Sequence, residues 1–203
     1  MHIIEYYSWL KKEWAKVGFI VSIFLFVFLF VIVRKYDFVL FIILLQTPLY
    51  MIHETEEFIF PGGFAKFFNR RIYKVEYDDR PMDENFIFFV NIILVWLLYP
   101  ICGLLSTINY SFGLWLPYFT FIAGVVHIPL SIKAKQVYNP GLIVSLFVNI
   151  PFGIWSVVTL VNQGVLKSYL WNPYIVIAII VQLILPLAGR MSYKVFCKNN
   201  NRI

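Results

Sequence analysis

Six long apolar stretches constrain this chain more than any other feature of its sequence. A helix needs about 20 apolar residues to cross a hydrocarbon core of roughly 30 Å, and these stretches meet or approach that length. Backbone groups in lipid must be satisfied within helices or closed barrels, and the alternating pattern of barrel strands is absent. The sequence therefore predicts an all-α polytopic membrane protein with six transmembrane helices. The stretches cover residues 17–33, 38–60, 86–108, 112–132, 142–161 and 169–189.

The composition agrees with this architecture and excludes an ordinary soluble domain. Of the 203 residues, 61% are hydrophobic and only 14% are charged, which is too little polar surface to cover a globule of this size. The net charge of +6 does not indicate nucleic-acid binding, because the basic residues lie between the apolar stretches instead of forming one patch. We expect the lipid bilayer as a partner, no nucleic acid, and a multi-pass location in the cell membrane.

The basic residues also predict how the helices are oriented. With the N-terminus in the cytoplasm, all of the 17 Lys and Arg residues except Arg34, Lys35 and Lys167 fall on the cytoplasmic side. Cytoplasmic loops of membrane proteins are enriched in basic residues, so both termini are predicted to be cytoplasmic. Residues 1–203 then form a single membrane domain, with a cytoplasmic loop over residues 61–85 between the second and third helices.

Two segments are predicted to lie on the membrane instead of crossing it. In residues 1–16, the apolar side chains of Ile3, Tyr7, Leu10 and Trp14 follow helical spacing beside charged residues, which is typical of a short interfacial amphipathic helix. The loop after the second helix has the same mixture of aromatic and basic side chains. Both segments suit contact with an anionic cytoplasmic leaflet, and a lid over a site is the alternative.

One ionisable cluster interrupts the second apolar stretch. His53, Glu56 and Glu57 are three or four positions apart and share one helical face, whereas Glu54 points about a quarter-turn away. Charged side chains near the bilayer centre cost roughly 2.5 to 3.5 kcal/mol each on insertion scales. A divalent cation or a buried proton would relieve that cost. The spacing also lets one helix present an imidazole and a carboxylate to a single metal ion.

Two residues of later helices lie at the same depth in the predicted topology. Asn91 is near the start of the third stretch, and His127 is near the end of the fourth. Two imidazoles and one carboxylate are the ligands of a catalytic zinc site with one open position, which makes His53, Glu57 and His127 the predicted metal ligands. The ion would be divalent, zinc first, with iron or manganese possible. Glu56 and Asn91 are the predicted catalytic residues: Glu56 would accept a proton, and Asn91 would orient substrate or water.

Simpler interpretations of these side chains stay open. The acids could end the second helix at the interface and form ion pairs with the loop residues Arg70, Arg71 or Lys74. His127 and Asn91 could make hydrogen bonds between helices.

Two asparagines stand directly before a proline and an apolar run. Asn139 and Asn172 occupy these positions, which are typical of a helix start. We therefore interpret Asn139 as a helix cap and not as a ligand.

The residues 53–57, with the sequence His-Glu-Thr-Glu-Glu in the second of six apolar stretches, resemble the motif of the integral membrane proteins named for HXXEE. The later His127 and the run Tyr138-Asn139-Pro140-Gly141 add to the resemblance, which covers most of the chain from about Phe38. It implies the architecture of an uncharacterised bacterial membrane protein and no particular activity. A looser similarity is to intramembrane CAAX-type proteases, but Pro61 stands where their pattern has arginine.

The sequence thus predicts a membrane-embedded, metal-dependent hydrolase or lipid-modifying enzyme that opens to the cytoplasmic half of the bilayer. An apolar, aromatic-rich enclosure suits a lipid substrate with an acyl or prenyl chain better than a sugar or nucleotide. Two other classes stay open. The first is an ion- or proton-coupled small transporter, which would need polar residues in its outer half, where only residues 106–111 qualify. The second is a non-enzymatic binding or immunity protein, which would use the acids in structural ion pairs.

Overall fold

The computed structural model describes residues 3–199, which are mostly helical and contain no strand. Within this part of the chain, six helices are long and apolar enough to cross a membrane, which confirms the predicted architecture. Residues 1–2 and 200–203, including Arg202 of the predicted cytoplasmic charge, lie outside the described residues. We number the helices α1 (Ile3–Tyr36), α2 (Phe38–Phe58), α3 (Glu84–Leu105), α4 (Tyr110–Ala134), α5 (Leu142–Asn162) and α6 (Pro173–Lys198).

The helix α1 is continuous from Ile3 to Tyr36, so the predicted interfacial segment is the first part of this helix and not a separate one. No helix-ending residue separates the charged segment from the apolar one, so nothing in the sequence prevents one continuous helix. Ile3 and Ile4 are exposed, as an interfacial position requires. The depth of this segment in a membrane stays a prediction.

Contacts between the helix ends show which ends lie together. Nζ of Lys11 in α1 lies 3.3 Å from Oε2 of Glu84, the first residue of α3. Oγ of Ser192 near the end of α6 donates to the carbonyl of Pro81 at 2.9 Å. The described ends of the chain and the loop before α3 therefore lie at the same end of the bundle, as the charge pattern requires. The cytoplasmic orientation of that end stays a prediction.

Helix α2 lies at the centre of the bundle and contacts α1, α3, α4 and α5. Its residues Phe41, Ile42 and Ile43 are all buried, although they point in different directions around the helix. The helix begins at Asp37, whose Oδ1 accepts a hydrogen bond from the backbone N–H of Leu40 at 2.8 Å. Because neighbours surround α2, its ionisable residues 53–57 are held inside protein and not against lipid.

The outer helices α1 and α6 have many exposed apolar side chains, including Phe24, Leu183 and Leu187. Such a continuous apolar exterior would be unstable in water and suits contact with lipid. The chain is therefore a multi-pass membrane protein that contacts the bilayer through these faces.

The loop between α2 and α3 is folded. It contains a short helix, Phe64–Phe67, that continues as a wider helical turn over Phe68–Ile72. Asn69 is buried in it: its Nδ2 donates to the carbonyls of Asp78 and Met82, and its Oδ1 accepts from the N–H of Met82. These bonds fold the second half of the loop back onto the first.

Candidate metal centre

His53, Glu57 and His127 come together between α2 and α4. Nε2 of His53 and Nε2 of His127 each lie 3.5 Å from the same oxygen, Oε1 of Glu57. The possible ligand atoms all lie within 4.8 Å of one another, and the three residues are at most 6% exposed. The structure thus brings the three predicted ligands into one buried group that could hold a metal ion.

Two of the distances in this group fit a small divalent ion. Nitrogen and oxygen ligands bind zinc at about 2.0–2.1 Å in tetrahedral sites, which places two ligand atoms about 3.3–3.4 Å apart. The two 3.5 Å distances from Glu57 Oε1 are close to that separation. Nδ1 of His53 is buried and has no hydrogen-bond partner in the described structure, so the orientation of this ring is not fixed by an outer hydrogen bond.

Asn139 fixes the orientation and the tautomer of His127. Its Nδ2 donates to the carbonyl of His127 at 2.8 Å and to Oγ of Ser131 at 2.7 Å. Its Oδ1 therefore faces Nδ1 of His127, at 2.6 Å, and accepts the proton on that nitrogen. The lone pair is left on Nε2, which points at Glu57. Metal-binding histidines usually have an outer hydrogen-bond partner of this kind.

The interpretation of Asn139 as a helix cap is wrong. The N-cap residue of helix α5 is Gly141, because the Pro140-Gly141 turn separates Asn139 from the helix start. The interpretation holds for Asn172, whose Oδ1 accepts from the N–H of Tyr174 at 3.0 Å. Asn139 is thus a site residue that the sequence reasoning missed. The available signal was its place in the turn that follows the helix of His127.

Gly141 lets the connection between α4 and α5 pass directly over the three side chains. A Cβ at this position would lie 2.5 Å from Cε1 of His127, 2.8 Å from Cε1 of His53 and 3.0 Å from Cγ of Glu57. The backbone φ of +96° is also one that residues with a side chain rarely adopt. The backbone of Gly141 therefore closes one side of the group.

Glu56 contacts the beginning of α5. Its Oε1 accepts from the N–H of Ile143 at 3.0 Å, and its Oε2 accepts from the N–H of Val144 at 2.6 Å. The first N–H groups of a helix have no partner within the helix, and a carboxylate there is also favoured by the helix dipole. Glu56 thus joins α2 to α5 next to Gly141. Its predicted role as a proton acceptor stays a prediction.

In the described residues, the loop cations do not pair with the α2 acids, in contrast to the ion-pair alternative. Arg70 and Lys66 both bind Asp78 within the loop. Among residues 3–199, no ion pair joins Arg70, Arg71 or Lys74 to an acid of α2. Glu57 instead lies beside two imidazoles, and Glu56 binds backbone N–H groups.

Asn91 and Glu54 are buried outside the His–Glu–His group. Nδ2 of Asn91 donates to the carbonyl of Ile87 in its own helix at 2.8 Å. Glu54 faces Trp96 of α3, in agreement with its predicted direction away from the other acids. The role of Asn91 in orienting substrate or water stays a prediction.

A family model described as "Protein of unknown function with HXXEE motif" matches residues 44–156. The matched region runs from within α2 to within α5 and includes His53, Glu57, His127, Asn139 and Gly141. No curated protein and no solved structure matches the chain.

Proposed function

The chain belongs to the HXXEE-motif family, whose function is unknown, and we propose that it is a metal-dependent hydrolase or related lipid-modifying enzyme of the cell membrane. His53, Glu57 and His127 would hold a divalent ion, zinc first, with iron or manganese as alternatives. The observation that carries the proposal is the single oxygen of Glu57 that lies 3.5 Å from Nε2 of both histidines.

The buried group needs a positive charge. Nε2 of His127 presents a lone pair because Nδ1 holds its proton against Asn139. A carboxylate next to that lone pair, in a buried site, is destabilised unless a cation or a proton lies between them. A proton would join only two of the three ligand atoms, whereas a metal ion would join all three. The convergence of three ligand atoms favours the metal.

A divalent ion bound here would supply Lewis acidity toward a carbonyl or phosphoryl oxygen of the substrate. The protein's own side chains have separate tasks. The two imidazoles bind as neutral ligands, Glu57 adds one negative charge, and Asn139 keeps His127 in the required tautomer. Asn91 would orient substrate or water.

Glu56 is first of all a positioning residue, because it holds the start of α5 and thereby the backbone of Gly141 over the group. Each of its oxygens has two lone pairs, and the N–H groups of Ile143 and Val144 use one on each oxygen. The remaining lone pairs are what the predicted proton-accepting role would require.

An ion-coupled carrier is the second candidate, and a line of buried polar residues favours it. Ser145, Asn149 and Ser156 follow helical spacing on one face of α5 and are fully buried. Nε2 of Gln46 in α2 donates to Oγ of Ser156 at 3.0 Å. Both polar atoms of the Asn149 side chain and Oε1 of Gln46 have no hydrogen-bond partner in the described structure. Polar groups at membrane depth are normally paired, and a transported ion with its water would pair these.

Two measurements separate the candidates. An enzyme retains its metal through purification and loses it in Glu57→Gln, with no flux of ions across proteoliposomes. A carrier produces cation flux that is abolished by Glu57→Gln and reduced by Asn149→Ala, a residue that does not contact the metal ligands. Wild type with neither bound metal nor flux contradicts both proposals.

A further inference from the structure

A basic cavity lies beside the candidate metal centre. Its volume is about 1010 Å³, and its walls come from the loop after α2 and from the connection between α4 and α5. Four of the lining residues are cations: Lys66, Arg70, Arg71 and Lys74. A concave surface with several cations attracts anionic groups more strongly than the same charges on a flat surface.

The charges in the cavity are only partly neutralised. Asp78 is the one acidic residue in its lining, and it binds Arg70 and Lys66. The hydrogen bonds from these two cations hold the pKa of Asp78 below its ordinary value, so its carboxylate stays ionised at neutral pH. Among residues 3–199, Arg71 and Lys74 have no carboxylate partner. The guanidinium of Arg71 instead faces the side-chain amide of Gln136; with this amide turned so that its oxygen faces the guanidinium, the oxygen accepts from Nε at 3.2 Å.

An apolar groove continues from the cavity toward the lipid. It has a volume of about 480 Å³ and shares Gln136 and Val137 with the basic cavity. Ile132 at the end of α4 and Leu142 and Leu146 at the start of α5 form much of its wall. Ile132 is 73% exposed, so this wall faces the surroundings of the bundle. The cavity and groove together form an amphipathic surface with a charged part and an apolar part.

The same cavity is next to the His–Glu–His group. Tyr138 and Pro140 line the cavity, and Gly141, the next residue, lies against His53 and His127. A single stretch of backbone therefore separates an anion bound in the cavity from the candidate metal ion.

We propose that the cavity and groove bind a lipid with a phosphate group, with the phosphate between Arg71 and Lys74 and the apolar chain in the groove between α4 and α5. The planar guanidinium suits two phosphate oxygens and the ammonium adds a compact second charge. The apolar groove explains why the ligand is a lipid phosphate and not free phosphate. That this lipid is the substrate of the metal centre rests on the proposed function, whereas the binding site itself does not require the metal.

Binding by the detergent-purified full chain tests the proposal with three probes: dioctanoyl phosphatidic acid, dioctanoylglycerol and inorganic phosphate. We expect phosphatidic acid to bind at least about tenfold more tightly than either of the other two probes, because only phosphatidic acid has both a phosphate group and acyl chains. The double variant Arg71→Gln/Lys74→Gln should weaken phosphatidic acid binding by about tenfold or more. The control Arg80→Gln/Lys133→Gln removes two cations that do not line the cavity and should bind like wild type.

Other outcomes overturn the proposal. Equal affinity for inorganic phosphate would show that the apolar groove contributes nothing, and equal affinity for dioctanoylglycerol would show that the cations contribute nothing. An equal loss in both double variants would mean general electrostatic attraction between the basic protein and the anionic probe. The charge-conserving variant Arg71→Lys/Lys74→Arg should recover most of the binding, which excludes misfolding as the cause of the loss.

Metal content of the same preparations separates this inference from the proposed function. Loss of lipid binding in Arg71→Gln/Lys74→Gln with unchanged metal supports the lipid site beside an intact centre. If the wild type bound phosphatidic acid but contained no metal, the result would support the lipid-binding site and contradict only its role as the substrate site of a metal centre.

Discussion

The side-chain oxygen of Asn139 lies 2.6 Å from Nδ1 of His127, although the asparagine is in the turn that follows the helix of the histidine. The amide nitrogen of Asn139 donates to two other oxygens, so the amide can only accept from the imidazole. This bond decides which nitrogen of His127 faces Glu57. It also makes the connection between α4 and α5 part of the candidate metal centre.

Replacing Asn139 should weaken metal binding without unfolding the protein. In Asn139→Ala the ring of His127 loses its partner, and we expect the metal affinity to fall about 10- to 100-fold. Metal titration of the purified variant measures this change. Asn172→Ala is the matched control, because it removes an asparagine that caps a helix: it should lower stability by about 1 kcal/mol and leave metal affinity unchanged. Equal affinities for Asn139→Ala and wild type would contradict the assignment of Asn139.

Adding a methyl group at Gly141 should disrupt the centre. The new Cβ would overlap the rings of His127 and His53 and would also strain the backbone at φ +96°. We expect Gly141→Ala to cost about 2–4 kcal/mol of stability and to lose metal. Thermal unfolding in detergent, together with metal analysis, measures both effects.

The control for Gly141 is Gly164, which has a φ of +70° and no neighbouring atom within 4 Å of an added Cβ. Gly164→Ala therefore has the backbone strain alone, about 1–2 kcal/mol, and should keep its metal. If Gly141→Ala lost no more stability and no more metal than Gly164→Ala, the close approach of the turn to the histidines would be disproved.

Removing the charge of Glu56 should loosen the beginning of α5. The amide of Glu56→Gln can accept from only one of the two N–H groups and directs its own N–H₂ at the other, which should cost about 1–3 kcal/mol. Amide hydrogen exchange at Ile143 and Val144 should become faster. The neighbouring variant Glu54→Gln replaces a buried carboxyl group that does not contact α5, so exchange at these two residues should stay slow. Unchanged exchange in Glu56→Gln would rule out the contact.

The fold could be predicted from the sequence because the crossing of a membrane depends on local properties. The length and apolar character of each stretch require no knowledge of its neighbours. The beginning of α1 was harder to predict, because a charged amphipathic segment and a following apolar segment have the same helical preference. No local signal in the sequence tells whether they form one helix or two.

The site could be predicted only in part. His53 and Glu57 share a helical face through their spacing, and His127 was found through its depth in the topology. The partners of Glu56 are backbone N–H groups, which have no sequence signature. The role of Asn139 depends on the direction in which a turn folds over a neighbouring helix, and an Asn-Pro pair looks the same whether it caps a helix or binds a histidine.

The central claim is that His53, Glu57 and His127 bind one divalent ion, and elemental analysis of the detergent-purified protein tests it most directly. Wild type should contain about one equivalent of zinc, iron or manganese per chain, and Glu57→Gln and His127→Ala should each lose it while remaining folded. Glu54→Gln, an equally buried acid outside the group, should retain it. A folded wild type that contains no metal and binds none when titrated with all three ions would contradict the claim.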